Sequence, residues 1–504
     1  MILLDDTALT DAAHTTDPDA EAGCGRWTTW AVPIAVAATV RALYWVVVSP
    51  TWVPRSDARQ YVALARALAG GDGFSSTFPG GVVHPTAFRP PLYPILLAVP
   101  TRIFGPDALW PGRLLAIAIG LGLIAATVAY VRRIAGDRAG LVAGLAVSLA
   151  PSLVANDTIT MSESLGLLLT MGTLLCLLDR RWAPAGVLCG LLLLTRPNAY
   201  LVPVVVVAVL WRSLGPRRAF ATLGLCVAVV TPWAIRNAIQ VGTPKLVTSD
   251  GFTLAAVYGP SSQEVGTFTD PTDSGWYRDL GLPALESDEA AWSNRLTAVG
   301  LEGVLEHPSS VLQRAVTGVA TMLELHGYRA EEAEYVDGRD PRIRGAALVA
   351  FPMLVAAGSA GVLVRIRDRR TWPALAVVGG FVVPSLVTVS VPRLRGPFDL
   401  LMCIGIGYLA AWGCTSVPRS AEREGMPWAS RMCHAQGIEG FWPCCWQSSA
   451  HSPSPDANHR SDLSRRSLSM QYGCQRHPIP SWSSTAARTT STARTTTSGP
   501  RSRG

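Results

Sequence analysis

Few residues of this chain have side chains that could do chemistry, and they recur at the same places relative to its apolar runs. Asp57 lies seven or eight positions past the first such run, in VPRSDARQYVALARAL. Arg89 stands in FRPPLYP, Asp157 and Glu163 in NDTITMSES, Arg196 in TRPN, Arg236 in TPWAIRN, and Arg393 and Arg395 in PRLRGPFD. Guanidinium groups at membrane depth are costly and tend to line polar cavities. Several gathered on one face suit a phosphate, which arginine grips bidentately. A carboxylate beside a phosphate site suits proton abstraction from an incoming hydroxyl.

Each of these residues also has a plainer use. Asp57, with Ser56, could cap the helix that follows. Arg89, Arg393 and Arg395 could anchor to lipid headgroups. Arg196, before Pro197, could cap carbonyls at a turn. Glu163 could pair with a neighbouring arginine, and Asp157 could cap the next helix. Arg236 and Asn237 end a span, where a cation meets the helix dipole favourably. Arg41 falls inside the first span and is expected to pair within the bundle. His84 has no second ligand near it, so no metal site is read. Nothing requires a cofactor, although a divalent cation is compatible with these groups.

The elements that must hold these residues are membrane spans. The chain has 504 residues, 49% of them hydrophobic and only 16% charged, against roughly 25% charged in soluble domains. The net charge of +7 is concentrated late, because 11 arginines and 5 acidic residues follow Ser416. The rest is near neutral and offers no basic patch for nucleic acid. A single lysine, Lys245, against 42 arginines suggests a GC-rich bacterial genome. Cys176, Cys189, Cys226 and Cys403 sit in apolar runs and read as packing residues, and no metal or disulfide spacing appears.

Apolar stretches predict ten spans: 28–49, 112–131, 138–155, 163–178, 183–195, 198–211, 219–235, 345–364, 371–391 and 400–414. The expected fold is therefore all-α and integral to the membrane. The pair flanking Arg196-Pro197 is short, each half about 20 Å long. A hairpin there puts Arg132/Arg133/Arg138, Arg180/Arg181, Arg212/Arg217/Arg218 and Arg365/Arg367/Arg369/Arg370 on one side, as the positive-inside rule prefers. The segments 50–111 and 238–343 then lie outside. The first carries two interfacial pieces. Residues 57–69 place Tyr61, Leu64, Ala65 and Leu68 on one helical face, and 91–104 is proline-interrupted and too short to span. The second is a larger loop with 16 acidic and 7 basic residues. Its end, 309–323, has Val311, Leu312, Ala315, Val316, Val319, Met322 and Leu323 on one face, expected to pack on the membrane domain. Residues 1–27 read as a cytoplasmic tail without signal-peptide character. Residues 415–504 are rich in Ser, Thr, Arg and Pro and cannot bury a core. They are a disordered tail or the product of a shifted reading frame.

SDARQYVALARALAGGDGF, FRPPLYPILLA, TRPN, TPWAIRNAIQVGTPKLVTSDG and RLRGPFD, in this order, resemble the GT-C glycosyltransferases. The nearest resemblance is to the polyprenyl-phosphate-sugar enzymes related to protein O-mannosyltransferases and the lipid A aminoarabinose transferase. It covers roughly residues 28–414. It implies that Asp57 is the catalytic base of an inverting transfer from a polyprenyl-monophosphate sugar, a mannose or a pentose, to a hydroxyl of a protein, a lipid or a cell-wall glycan. Arg89, Tyr93, Arg196, Arg393 and Arg395 become candidates for binding the lipid phosphate and sugar, and Asp157 and Glu163 for a second carboxylate. Many relatives carry a second acid directly after the base, where this chain has Ala58. The implied location is the cytoplasmic membrane, with the site facing outward and membrane lipid around it. A lipid-borne donor also fits the lack of any nucleotide-binding pattern. The rival class is a transporter or lipid-linked-sugar flippase. Against it, the two halves show no repeat symmetry and the ionisable groups gather at one face. An inactive, degraded gene product is the third reading.

Overall fold

The computed structural model describes residues 25–77, 83–266, 268–280, 288–325 and 340–415. Of the expected tails, 1–27 and 415–504, all but residues 25–27 and 415 fall outside the described residues, as does part of the large loop.

The chain is a multi-pass membrane protein. Among the described residues, six helices are long and apolar enough to cross a bilayer: Trp27–Val48, Trp110–Ala135, Pro197–Leu214, Pro216–Gln240, Gly345–Val364 and Pro392–Trp412. Four shorter apolar helices join them: Leu92–Phe104, Glu163–Leu178, Trp182–Leu193 and Trp372–Leu386. In chain order the elements that matter are α1 (Gly25–Leu43), α2 (Ser56–Gly70), strands β1 (Ser75–Thr77) and β2 (Val83–Pro85), and α3 (Leu92–Phe104). They continue as α4 (Trp110–Ala135), α5 (Asp137–Leu149), α6 (Pro151–Asn156), α7 (Glu163–Leu178), α8 (Trp182–Leu193), α9 (Leu201–Leu214) and α10 (Pro216–Gln240). The helices of the large loop follow as α11 (Ser249–Tyr258), α12 (Pro260–Val265), α13 (Gly275–Asp279), α14 (Glu289–Glu306) and α15 (Ser309–Met322). The last three are α16 (Pro341–Val364), α17 (Trp372–Leu386) and α18 (Gly396–Thr415).

The expected span 138–155 is in fact two helices. Pro151 has no amide hydrogen to donate and pushes Ala150 into extended backbone (φ −61°, ψ 116°), so α5 stops and α6 restarts. The hairpin at Arg196 is present. Arg196 leaves helical dihedrals (φ −141°, ψ 86°). Before it, α8 runs parallel to α10, with Gly186 against Thr222 and Gly190 against Val229. The α9–α10 turn folds back at Gly215, bringing Trp211 onto Phe220. So α8 and α9 are antiparallel.

The arginine clusters gather at one end of the bundle. Arg133 pairs with Asp179 at 2.9 Å, Arg365 donates to the Ile134 carbonyl at 3.0 Å, and Thr222 donates to the Trp182 carbonyl at 3.2 Å. Close helix contact depends on small residues, as is common between membrane helices. A side chain at Gly361 would meet the Gly405 carbonyl at 1.7 Å, and one at Gly358 would meet Met402 at 2.6 Å, so α16 and α18 touch backbone to backbone.

Two features depart from the sequence reading. A small antiparallel ribbon, Ser75↔Pro85 through Thr77↔Val83, follows α2, where no strand was expected. In addition, α15 buries only the edge of the face predicted: Met322 is buried, whereas Leu312, Val316 and Val319 are exposed. Ser310, Arg314, Gly318 and Met322 point inward. Leu312 and Val316 are 71% and 63% exposed. The reason is local. A side chain at Gly318 would clash with the Leu386 carbonyl and Ser390, so the helix approaches α17 along its smallest residue. Arg314 donates to the Ser262 carbonyl on that same side.

Candidate functional site

At the bundle end opposite the arginine clusters, the loops between helices bring charged side chains together. Asp57 sits in the first turn of α2. It does not cap the helix. Arg55 holds the cap position without a side-chain bond, and Ser56 takes a left-handed φ of 44°. The carboxylate is instead divided between two guanidinium groups. Arg89 donates to Oδ1, and Arg393 donates to Oδ2 at 2.5 Å. Arg89 also donates through Nε to Gln60, one turn along α2, and lies over the Phe88 ring at 5.2 Å.

Arg393 comes from the 3-10 turn Pro392–Arg395 that leads into α18, and it is buried. Its Nε is 3.8 Å from Glu163 Oε1, which also receives Arg196 Nη1 at 3.1 Å. Arg196 reaches Ser162 Oγ at 3.3 Å, and Ser162 is 3.1 Å from the Tyr61 hydroxyl. Tyr61 meets Tyr93 edge to face at 5.4 Å. A backbone bond from Leu92 N to Leu194 O (3.0 Å) ties the start of α3 to the turn that carries Arg196. Asp57, Arg89, Tyr93, Glu163, Arg196 and Arg393 therefore form one cluster, built from five separated stretches of chain.

Two candidates lie elsewhere. Arg395 turns away from Asp57. Its Nη1 donates to Glu324 and to the Met322 carbonyl at 2.8 Å each, its Nε pairs with Asp399 at 3.2 Å, and its guanidinium covers Phe351 at 3.6 Å. Residues two apart in one tight turn thus point in different directions, Arg393 to Asp57 and Arg395 to Glu324 and Asp399. Asp157 is fully buried against Arg41 at 2.5 Å and accepts from Ser164 at 2.5 Å. Gly120 makes room for it, since a side chain there would overlap the carboxylate at 2.3 Å. Arg41 thus pairs within the bundle as expected, and Asp157 anchors the loop that presents Glu163.

Arg236 braces the ribbon instead of a ligand, donating to the Thr86 and Phe74 carbonyls at 2.6 Å each. Glu289, on α14, had no sequence signal. It accepts from Ala87 N at 2.8 Å and from Thr248, and so pins the large loop to the segment carrying Arg89. Gln60 and Ser162 were likewise missed, because a lone amide and a lone hydroxyl carry no pattern. Among the described residues no cluster of His, Cys, Asp or Glu is arranged to hold a metal ion.

The electrostatics of Asp57 result from two opposed effects. Burial pushes its carboxyl up. Arg89 and Arg393, with Arg196 behind them, outweigh that and hold it well below the usual carboxylate range. Burial also raises the Tyr61 phenol. Across the cluster three guanidinium groups face two carboxylates, which leaves one positive charge. Such a site can hold a monoanion and keep an ionised carboxylate beside it.

Residues 88–235 match the model of the dolichyl-phosphate-mannose-protein mannosyltransferase family. The resemblance read from the sequence is borne out in that segment. The mannosyltransferase-like segment contains Arg89, Tyr93, Asp157, Glu163 and Arg196, whereas Asp57 and Arg393 lie on either side of it. Among solved structures, the chain is similar to the archaeal oligosaccharyltransferase AglB from Archaeoglobus fulgidus, determined with an inhibitory peptide and a dolichol-phosphate. Identity is 12% and the TM-score 0.47, over 84% of this chain and 52% of that one. The chain thus spans about half the length of that protein. It is also similar to ArnT from Cupriavidus metallidurans bound to undecaprenyl phosphate, at 16% identity and a TM-score of 0.39, over 76% of this chain and 78% of that one. No curated protein matches the chain.

Proposed function

We propose that the protein is a membrane glycosyltransferase of the outer face of the cytoplasmic membrane. It moves a sugar, a mannose or a pentose, from a polyprenyl-monophosphate donor to a hydroxyl of a protein, lipid or cell-wall glycan, with inversion. Residues 28–414 form its catalytic domain, with tails at 1–27 and 415–504. The observation that carries this reading is Asp57 bracketed by Arg89 and Arg393 in a cluster one positive charge in excess. A sugar-phosphate-polyprenyl diester carries a single negative charge, which matches that excess.

In the reaction, the acceptor oxygen attacks the anomeric carbon and its proton passes to Asp57. The bond from that carbon to the phosphate oxygen breaks, and polyprenyl phosphate leaves with a second negative charge. Asp57 loses its own charge in the same step. Arg89 and Arg393 are then free to turn from the carboxylate to the phosphate as its charge grows, which is where stabilisation lowers a barrier. Glu163 holds Arg196 toward the same place.

The test is incubation of the protein in liposomes that also carry cell-envelope lipids and proteins as hydroxyl acceptors, with radiolabelled polyprenyl-phosphate mannose and polyprenyl-phosphate pentose. Transfer consumes one of these donors and releases bare polyprenyl phosphate. Label that crosses the bilayer while still attached to its lipid would point to a flippase and end this reading.

A further inference from the structure

Two polar atoms in the cluster are left over once its ion pairs are assigned. Glu163 spends Oε1 on Arg196 and Arg393, while Oε2 makes no hydrogen bond. The Tyr93 hydroxyl makes none either. Both residues are deeply buried, at 7% and 0% exposure. They are neighbours, since Tyr93 meets Tyr61 edge to face at 5.4 Å and the Tyr61 hydroxyl lies 3.1 Å from Ser162, the residue before Glu163. Proteins seldom leave buried side-chain polar atoms without a partner, and each exception calls for a reason.

The chemistry of the pair narrows what it can take. A carboxylate oxygen only accepts, and a phenol both donates and accepts. A phosphate would be repelled by Glu163, and a polyprenyl chain offers nothing to either atom. A hydroxyl satisfies both, donating to Glu163 and accepting from Tyr93. The donor of the proposed reaction brings hydroxyl groups to this place, because its sugar is joined directly to the phosphate that the arginines would hold.

We infer that Glu163 Oε2 and the Tyr93 hydroxyl form the subsite for a hydroxyl of the donor sugar. This pair distinguishes a glycosylated polyprenyl phosphate from a bare one. The inference rests on the function proposed above and assigns the sugar contacts that the arginines do not supply.

Equilibrium binding to the purified full chain in nanodiscs tests it, with polyprenyl-phosphate mannose and bare polyprenyl phosphate as the two probes. Tyr93→Phe keeps the ring that packs on Tyr61 and removes only the hydroxyl. Glu163→Gln keeps the shape and one acceptor oxygen. Each variant is expected to lose about tenfold in affinity for the mannosyl lipid relative to bare polyprenyl phosphate, the scale of one lost hydrogen bond to a charged or buried group; Tyr93→Phe should bind the bare lipid as the native chain does, and Glu163→Gln, which adds one positive charge to the cluster, at least as well. Equal losses for both lipids would make the pair structural or phosphate-binding and overturn the subsite. Unchanged affinity for the mannosyl lipid in Tyr93→Phe would overturn it as well. If the native chain binds neither lipid, the donor assignment itself fails, and the subsite falls with it.

Discussion

Replacing Asp57 by asparagine separates the roles that its position allows. The side chain keeps its size and one acceptor oxygen, so one of the two guanidinium groups, Arg89 or Arg393, retains a partner. The other loses a charged hydrogen bond worth about 1.5–3 kcal/mol. The carboxylate is 16% exposed, so water offsets part of that loss and the chain should still fold and insert. The cluster moves from one excess positive charge to two. Donor affinity is therefore expected to hold or rise, while transfer falls at least about 100-fold, the scale of a general base. A helix-cap role predicts the reverse, a neutral change, because Asn and Asp cap about equally well.

The assay pairs donor binding with turnover of the radiolabelled lipid by purified Asp57→Asn. Near-normal turnover would refute the base assignment, and loss of donor binding would refute the charge argument. Stability gives an independent check with a fixed sign. The arginines depress the carboxyl of Asp57 in the folded chain, so its stabilising contribution is present above its unfolded pKa of about 3.9. That contribution is lost as pH falls further through the folded value. The melting temperatures of the native chain and Asp57→Asn should differ at pH 7 and converge as pH drops below about 4.

Two further outcomes follow from the geometry. Arg393→Ala should weaken donor binding about tenfold or more, with lysine a poor replacement, whereas Arg395→Ala should lower the melting temperature instead, because its guanidinium ties Glu324, Asp399 and the Met322 carbonyl together; donor titration and thermal melts of both variants distinguish these roles. Cysteines introduced at 275 and 215 should be labelled from outside and inside respectively, and the opposite pattern would invert the proposed orientation.

What the sequence made legible was whatever leaves a periodic or compositional trace. The spans did, and so did the hairpin at Arg196, since short apolar halves and charge asymmetry leave few arrangements. Asp57, Arg89, Glu163, Arg196 and Arg393 stood out because charge beside apolar chain is expensive. The direction in which a side chain leaves a tight turn has no such trace, so Arg395 read like Arg393 although the two diverge. Hydropathy likewise located the buried face of α15 only in part, since Met322 is buried but Leu312 and Val316 are not. A regular apolar stripe marks a buried face in water, but in a protein surrounded by lipid the buried face can be the one with the smallest residues, here Ser310 and Gly318.

The exposed apolar stripe of α15 ties the proposed site to the surface that this helix rests on. Leu312, Val316 and Val319 of α15 face outward, and such a stripe seeks the depth at which headgroups give way to acyl chains. The same helix ends at Met322, whose carbonyl holds Arg395, two residues from Arg393. A thinner membrane, or a detergent micelle without a flat surface, is expected to shift α15 and, through the bond from Arg395 to the Met322 carbonyl, the turn that carries Arg393. Catalysis should therefore vary with acyl-chain length even at fixed donor concentration.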